Sequence, residues 1–157
     1  MRRLIIALLL IPAPTLAQAQ ITDAQVRGFI ARQEAAWNAG RLDTYFAAFA
    51  PEARFTDQAF VGDKPPVPYG TSTLAQARTQ TARALTRSRR REAGEVTRIR
   101  IAPDGRSAQV VSKIEATIEQ AGKIRRICAY RGQALIFRDG RLLSNGQTDT
   151  IFKCASR

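Results

Sequence analysis

The sequence predicts an α+β fold, three N-terminal helices packed on a curved antiparallel β-sheet, and three observations carry that expectation. Apolar residues recur at helical spacing through residues 22–38. From about residue 95 onward the period drops to two, with Pro, Asp and Gly marking the turns. Between these halves, the proline-rich stretch FVGDKPPVPYG (residues 60–70) reads as a loop or lid-like connection. No internal repeat or linker interrupts residues 20–157, which therefore read as a single domain.

The first helix starts at a capping box, in which the Thr22 hydroxyl takes a backbone N–H while Gln25 reaches back. Ile21 and Val26 are spaced as a hydrophobic staple. The helix then runs to about Asn38 with Val26, Phe29, Ile30 and Trp37 on one face. Gln33 falls on that same face, so it must find partners or border a polar cavity. Gly40 supplies a left-handed stop. A second helix is expected over residues 41–50, burying Leu42, Phe46 and Phe49 and ending at Pro51. Alternation then places Ala53, Phe55 and Asp57 on one face of a short strand. A third helix, residues 72–88, carries a second capping box at Thr73 and Gln76. It flows into the arginine run Arg87, Arg89, Arg90 and Arg91.

Strands follow at residues 95–102, 107–119, 124–138 and from 141 to about 153. In the second of these Val110, Ile114, Ala116 and Ile118 face inward, with Lys113, Glu115 and Glu119 outward. Asp139 and Gly140 form a two-residue hairpin turn that sets Arg138 opposite Arg141. On that count Cys128 faces Ile151, three residues short of Cys154. A bulge at Asn145 and Gly146, or a tail that curls back, would let the cysteines form a disulfide; otherwise they are two separate buried thiols.

Residues 1–19 have a charged start, an apolar centre from Leu4 to Ile11, and small residues at Ala17 and Ala19. That layout predicts a secretory leader, a chain beginning at Gln20, and a periplasmic or secreted location. The apolar run is too short to span a bilayer, and no cysteine stands near the cut to take a lipid anchor. The chain contains no histidine, which excludes Ser-His-Asp and Cys-His catalysis and imidazole metal sites. Two cysteines are too few for a zinc site, and no motif asks for a cofactor. The net charge of +12 favours anionic partners. In an exported chain those are envelope components before nucleic acid, for which no reading motif is present.

The chain resembles the nuclear transport factor 2-like superfamily, in particular its SnoaL-like and ketosteroid-isomerase-like small bacterial members. The resemblance rests on residues 37–43 (WNAGRLD), residues 49–57 (FAPEARFTD), Gly70 before the third helix, and residues 137–142 (FRDGRL). It implies a cone with the first helix across its mouth, and a homodimer through the outer sheet face. By the same likeness, Asp57 falls where isomerase members keep a general base. Gln33 and Gln133 fall where they keep a tyrosine and a protonated aspartate as oxyanion donors.

Three functions follow. The leading one is a non-catalytic exported binding or accessory domain. Its apolar cone would hold a small hydrophobic or carbonyl-bearing ligand, lined by Gln33, Trp37, Phe55, Asp57 and Gln133. The second is a cofactor-independent isomerase, cyclase or dehydratase with Asp57 as general base. The third is a basic module binding anionic envelope components through Arg87, Arg89, Arg90 and Arg91. Against these stand plainer roles: Asp57 capping the following loop, the glutamines pairing with each other, and the arginines offsetting a helix dipole.

Overall fold

The computed structural model describes residues 20–155. The leader expected over residues 1–19 lies outside the described residues. Helix α1 (Asp23–Asn38) begins at the expected capping box: Thr22 Oγ1 accepts the Gln25 N–H, and Gln25 Oε1 accepts the Thr22 N–H at 2.8 Å. The staple residues Ile21 and Val26 are both buried. Gly40 has a φ of +68°, which turns the chain out of the helix.

Helix α2 (Leu42–Phe46) is shorter than expected, because β1 (Phe49–Ala59) has already begun at Phe49. Pro51 therefore sits inside a strand rather than at a helix end. It is tolerated because the ladder to the neighbouring strand is interrupted between Phe49 and Arg54, so its missing N–H leaves no gap in the pairing. The expected loop also shortens, since residues from Val67 form β2 (Val67–Thr73), antiparallel to β1. That strand is a sheet edge, which is where Pro68 can sit. Helix α3 (Leu74–Leu85) starts on the capping box of Thr73 and Gln76 and ends before residue 88.

Four strands complete the chain: β3 (Arg89–Ile101), β4 (Ser107–Gln120), β5 (Lys123–Arg138) and β6 (Arg141–Phe152). The sheet order is β2-β1-β6-β5-β4-β3, curved and unclosed, antiparallel except where β1 runs parallel to β6. Bulges in β3 and β6 bend it around the helices. One core cluster joins Ile21, Val26 and Phe29 to Ala108, Val110 and Leu135. The last of these and Val26 are fully buried, worth roughly 1.5–3 kcal/mol each. A second cluster gathers Ala36, Tyr45, Phe46, Phe49, Ala53 and Ala77. Between Phe29 of the first cluster and Ala36 of the second, α1 presents Gln33.

The hairpin at Asp139 and Gly140 keeps Arg138 opposite Arg141, and Leu135 still faces Ser144. Gly146, however, faces Ala134, so Asn145 is the extra residue of a bulge. Cys128 is thereby set opposite Phe152, and the chain beyond β6 bends back to bring the Cα of Cys154 within 5.3 Å of the Cα of Cys128. The two cysteines form a disulfide.

Candidate functional site

A cavity of about 140 Å3 opens between the three helices and the inner face of the sheet. Trp37 from α1, Tyr45 and Phe46 from α2, and Phe55 from β1 make its aromatic wall. The floor is charged. Strand alternation turns Arg131 and Gln133 of β5 inward, and the register sets them against Asp149 and Gln147 of β6. Glu92 reaches in from β3, and Asp57 of β1 lies beside Asp149 at the mouth.

Arg131 is clamped between two acids. Its Nε and Nη2 donate to Asp149 Oδ1 and Oδ2 at 2.8 and 2.9 Å, and its Nη1 donates to Glu92 Oε2 at 2.8 Å. Burial alone would lower this guanidinium, but Asp149 and then Glu92 hold it well above its ordinary value. Arg90 pairs with Glu92 Oε1 at 2.9 Å and lies 5.4 Å from the centroid of the Trp37 ring. Two arginines thus balance Glu92 and Asp149, leaving Asp57 as the one acid in the lining with no ion pair among the described residues. Asp57 is exposed as a residue, yet its carboxyl borders the chamber and packs against Gly70. Partial loss of water there raises its pKa, the charge of Asp149 raises it further, and Arg90 and Arg131 oppose the rise.

Deeper in, a hydrogen-bond chain crosses the sheet. Gln133 Nε2 donates to Gln33 Oε1 at 3.1 Å and approaches Ser144 Oγ and Gln147 Oε1 at 3.4 Å. The Tyr45 hydroxyl donates to Gln147 Oε1 at 3.2 Å, and Gln147 Nε2 donates to Asp149 Oδ2 at 3.3 Å. Burial pushes the Tyr45 phenol up to about 12, so it stays a donor at neutral pH. Beside the glutamines lies an inner cavity of about 20 Å3, room for one water. Gln33 Nε2 and Trp37 Nε1, from two residues that line it, are buried without a partner among the described residues.

The structure therefore brings Trp37, Phe55 and Asp57 together around the outer chamber, and Gln33 and Gln133 together around the inner one. It does not bring Asp57 to the glutamines: Trp37, Tyr45, Glu92 and Arg131 line both spaces and stand between them. Nor is the cone apolar as expected. The sequence reading missed Tyr45, Glu92, Arg131, Gln147 and Asp149. The signal for Arg131 was present, since it lies two residues from Gln133 on one strand and must share its face.

The arginine run does not present one surface. Because β3 begins at Arg89, alternation sends Arg90 inward while Arg89 and Arg91 stay exposed, and Arg87 lies in the turn after α3. On the outer sheet face Arg126 pairs with Glu115 at 2.9 Å, and the Tyr130 and Phe152 rings stack at 4.7 Å. Among the described residues no group of three His, Cys, Asp or Glu side chains is placed to hold a metal ion, and no helix is long and apolar enough to cross a membrane.

No family model and no curated protein matches the chain. Solved structures do. A ketosteroid isomerase-like protein from Erwinia carotovora atroseptica SCRI1043 aligns with a TM-score of 0.64 at 11% identity, covering 83% of this chain and 96% of that one. A protein from Catenulispora acidiphila, solved in complex with S-DNPA, aligns with a TM-score of 0.59 at 19% identity, covering 82% and 91%. An NTF-2-like protein of unknown function from Shewanella oneidensis MR-1 aligns with a TM-score of 0.59 at 12% identity, covering 80% and 95%. The element order, the curved six-stranded sheet and these likenesses together identify the architecture: the chain is built on the nuclear transport factor 2-like fold.

Proposed function

We propose that the chain is an exported domain that binds a small ligand, without turning it over, in the chamber between Trp37, Tyr45, Phe55 and Asp57. One observation supports this reading above the others: Tyr45 and Arg131, the strong donors that line the chamber beside Asp57, are already engaged, as is Gln133 behind them. Gln133 donates to Gln33, Tyr45 to Gln147, and Arg131 to two carboxylates. Catalysis needs donors free to meet charge as it develops. What stays free around the chamber is an aromatic wall and one carboxylate at the mouth, which is the equipment for holding and orienting; the unpartnered Gln33 Nε2 belongs to a residue of the inner cavity, which Asp57 does not line. The space matches a molecule of about the size of benzene, for which a cavity of about 150 Å3 suffices. A carbonyl on that ligand would accept from Asp57 when the acid is protonated. The similar structure holding S-DNPA supports small-molecule occupancy of this architecture.

The unpaired state of Asp57 and its raised pKa favour a second reading, proton transfer with Asp57 as general base. Assembly as a homodimer would use the outer sheet face around Tyr130 and Phe152. Native mass spectrometry of protein recovered from the periplasm tests the binding reading. A bound small molecule that is lost on unfolding, and lost from Phe55→Ala, is expected. A bare protein mass in every preparation contradicts it. Turnover of the captured molecule that vanishes in Asp57→Asn would replace binding by catalysis.

A further inference from the structure

A larger groove of about 650 Å3 lies on the other side of Trp37, between the end of α3, the start of β3 and the hairpin of β4 and β5. Four arginines line it: Arg83, Arg87, Arg90 and Arg125. No acidic side chain does; Glu119 borders the shallower depression on the far side of Arg87. Arg83, Arg87 and Arg125 make no ion pair and no side-chain hydrogen bond among the described residues, and the buried Nε of Arg90 has no partner either.

The ordinary explanation for such cations is that they cap the helix end. Here that work is done by other groups. The Thr86 hydroxyl donates to the Arg83 carbonyl at 2.7 Å, and the Ser88 hydroxyl and Arg87 N–H donate to the Ala84 carbonyl at 3.0 and 3.1 Å. Arg83, Arg87 and Arg125 are left to line the groove without a counter-ion, while the Arg90 guanidinium answers Glu92. Leu85, Ile118 and Trp37 supply apolar surface beside them. A concentration of like charge this close costs energy unless an anion answers it, and planar guanidinium forks suit carboxylate and phosphate oxygens.

We infer that this groove is a second binding site, for a small amphipathic anion whose carboxylate or phosphate head meets Arg83, Arg87 and Arg125 while a short apolar tail lies on Leu85 and Ile118. The site is distinct from the chamber of Asp57, sharing only its Trp37 and Arg90 wall and the Thr81 edge. The volume lies within the range of about 300–1,000 Å3 usual for ligand pockets.

Trp37 is the only tryptophan in the chain, and its emission responds to ligands in the groove; because it also lines the Asp57 chamber, the arginine variants separate the two. Decanoate, decanol and inorganic phosphate would be titrated below the micelle threshold into the intact protein. Saturable binding of decanoate is expected, with decanol and phosphate each much weaker. Arg87→Gln with Arg125→Gln should weaken decanoate by about tenfold or more, and lysine at both positions should restore part of the loss. Arg91→Gln with Arg98→Gln removes the same charge from exposed positions outside the groove and should leave binding unchanged. Equal loss in both pairs would reduce the effect to overall charge and overturn the site. Decanol binding as well as decanoate, phosphate binding as well as decanoate, or no saturable response would each overturn it too.

Discussion

Removing the Arg131 guanidinium should be the most damaging single change to the chamber. In Arg131→Met the side chain keeps an unbranched apolar stem and loses the guanidinium, while Glu92 and Asp149 keep their charge. Those carboxylates are only 3% and 13% exposed, so water cannot replace the four charge-assisted hydrogen bonds they lose. Arg90 still reaches Glu92, which leaves Asp149 the more exposed to the loss. Breaking a buried pair in this way costs about 3–5 kcal/mol. For a domain of this length that corresponds to a fall in Tm of about 10–15 °C. Calorimetry at neutral pH with the disulfide intact measures it. The triple variant Glu92→Gln, Arg131→Met, Asp149→Asn removes the unpaired charge as well and should regain most of the loss. A single-variant loss below about 1 kcal/mol, the range of exposed pairs, would refute the argument that this network is a desolvated floor.

Three further outcomes follow from the same geometry. Reducing the disulfide, or replacing both Cys128 and Cys154 by Ser, should cost about 3.5 kcal/mol for a sequence separation of 26, read by urea denaturation with and without reductant. Gly146→Ala should destabilise by about 1–3 kcal/mol, because its Cβ would stand 2.9 Å from the Arg54 carbonyl oxygen where β1 crosses close to β6; a neutral result would show that the strand can shift. Asp57 has a folded pKa above its unfolded one, so its ionisation works against folding as pH rises through the unfolded value and up to the folded one. Asp57→Asn should therefore be more stable than the parent at pH 7 and level with it in strong acid, as denaturation at pH 7 and pH 3 would show; the opposite order would mean that the carboxylate has a stabilising partner.

Helix α1 was legible almost to the residue because its signals are local: a capping box, a staple, apolar spacing and a glycine stop. The hairpin at Asp139 and Gly140 was equally local, with both residues at positive φ as such a turn requires. The floor of the chamber was not legible, for two physical reasons. Strand β3 begins with Arg90, Glu92 and Gly94 at its inward positions, so charge replaces the apolar alternation that marks a strand. The stretch read instead as the tail of a helix. The pairing of Arg131 with Asp149 also depends on the bulge at Asn145. Without that bulge the hairpin count sets Asp149 opposite Tyr130, on the outer face; with it, Asp149 turns inward. The charged residues of the floor are the ones that depart from the periodic pattern, whereas Trp37 and Phe55 of the wall follow it.

Ligand-induced amide and indole shifts, measured by nuclear magnetic resonance with the small molecule that co-purifies with the protein, test the chamber most directly. The largest shifts are expected on the Trp37 indole N–H, Phe55, Asp57 and Gln147, with little change at Arg83 or Arg125. Shifts confined to the outer sheet face around Tyr130 and Phe152, with the Trp37 indole unmoved, would contradict binding in the chamber.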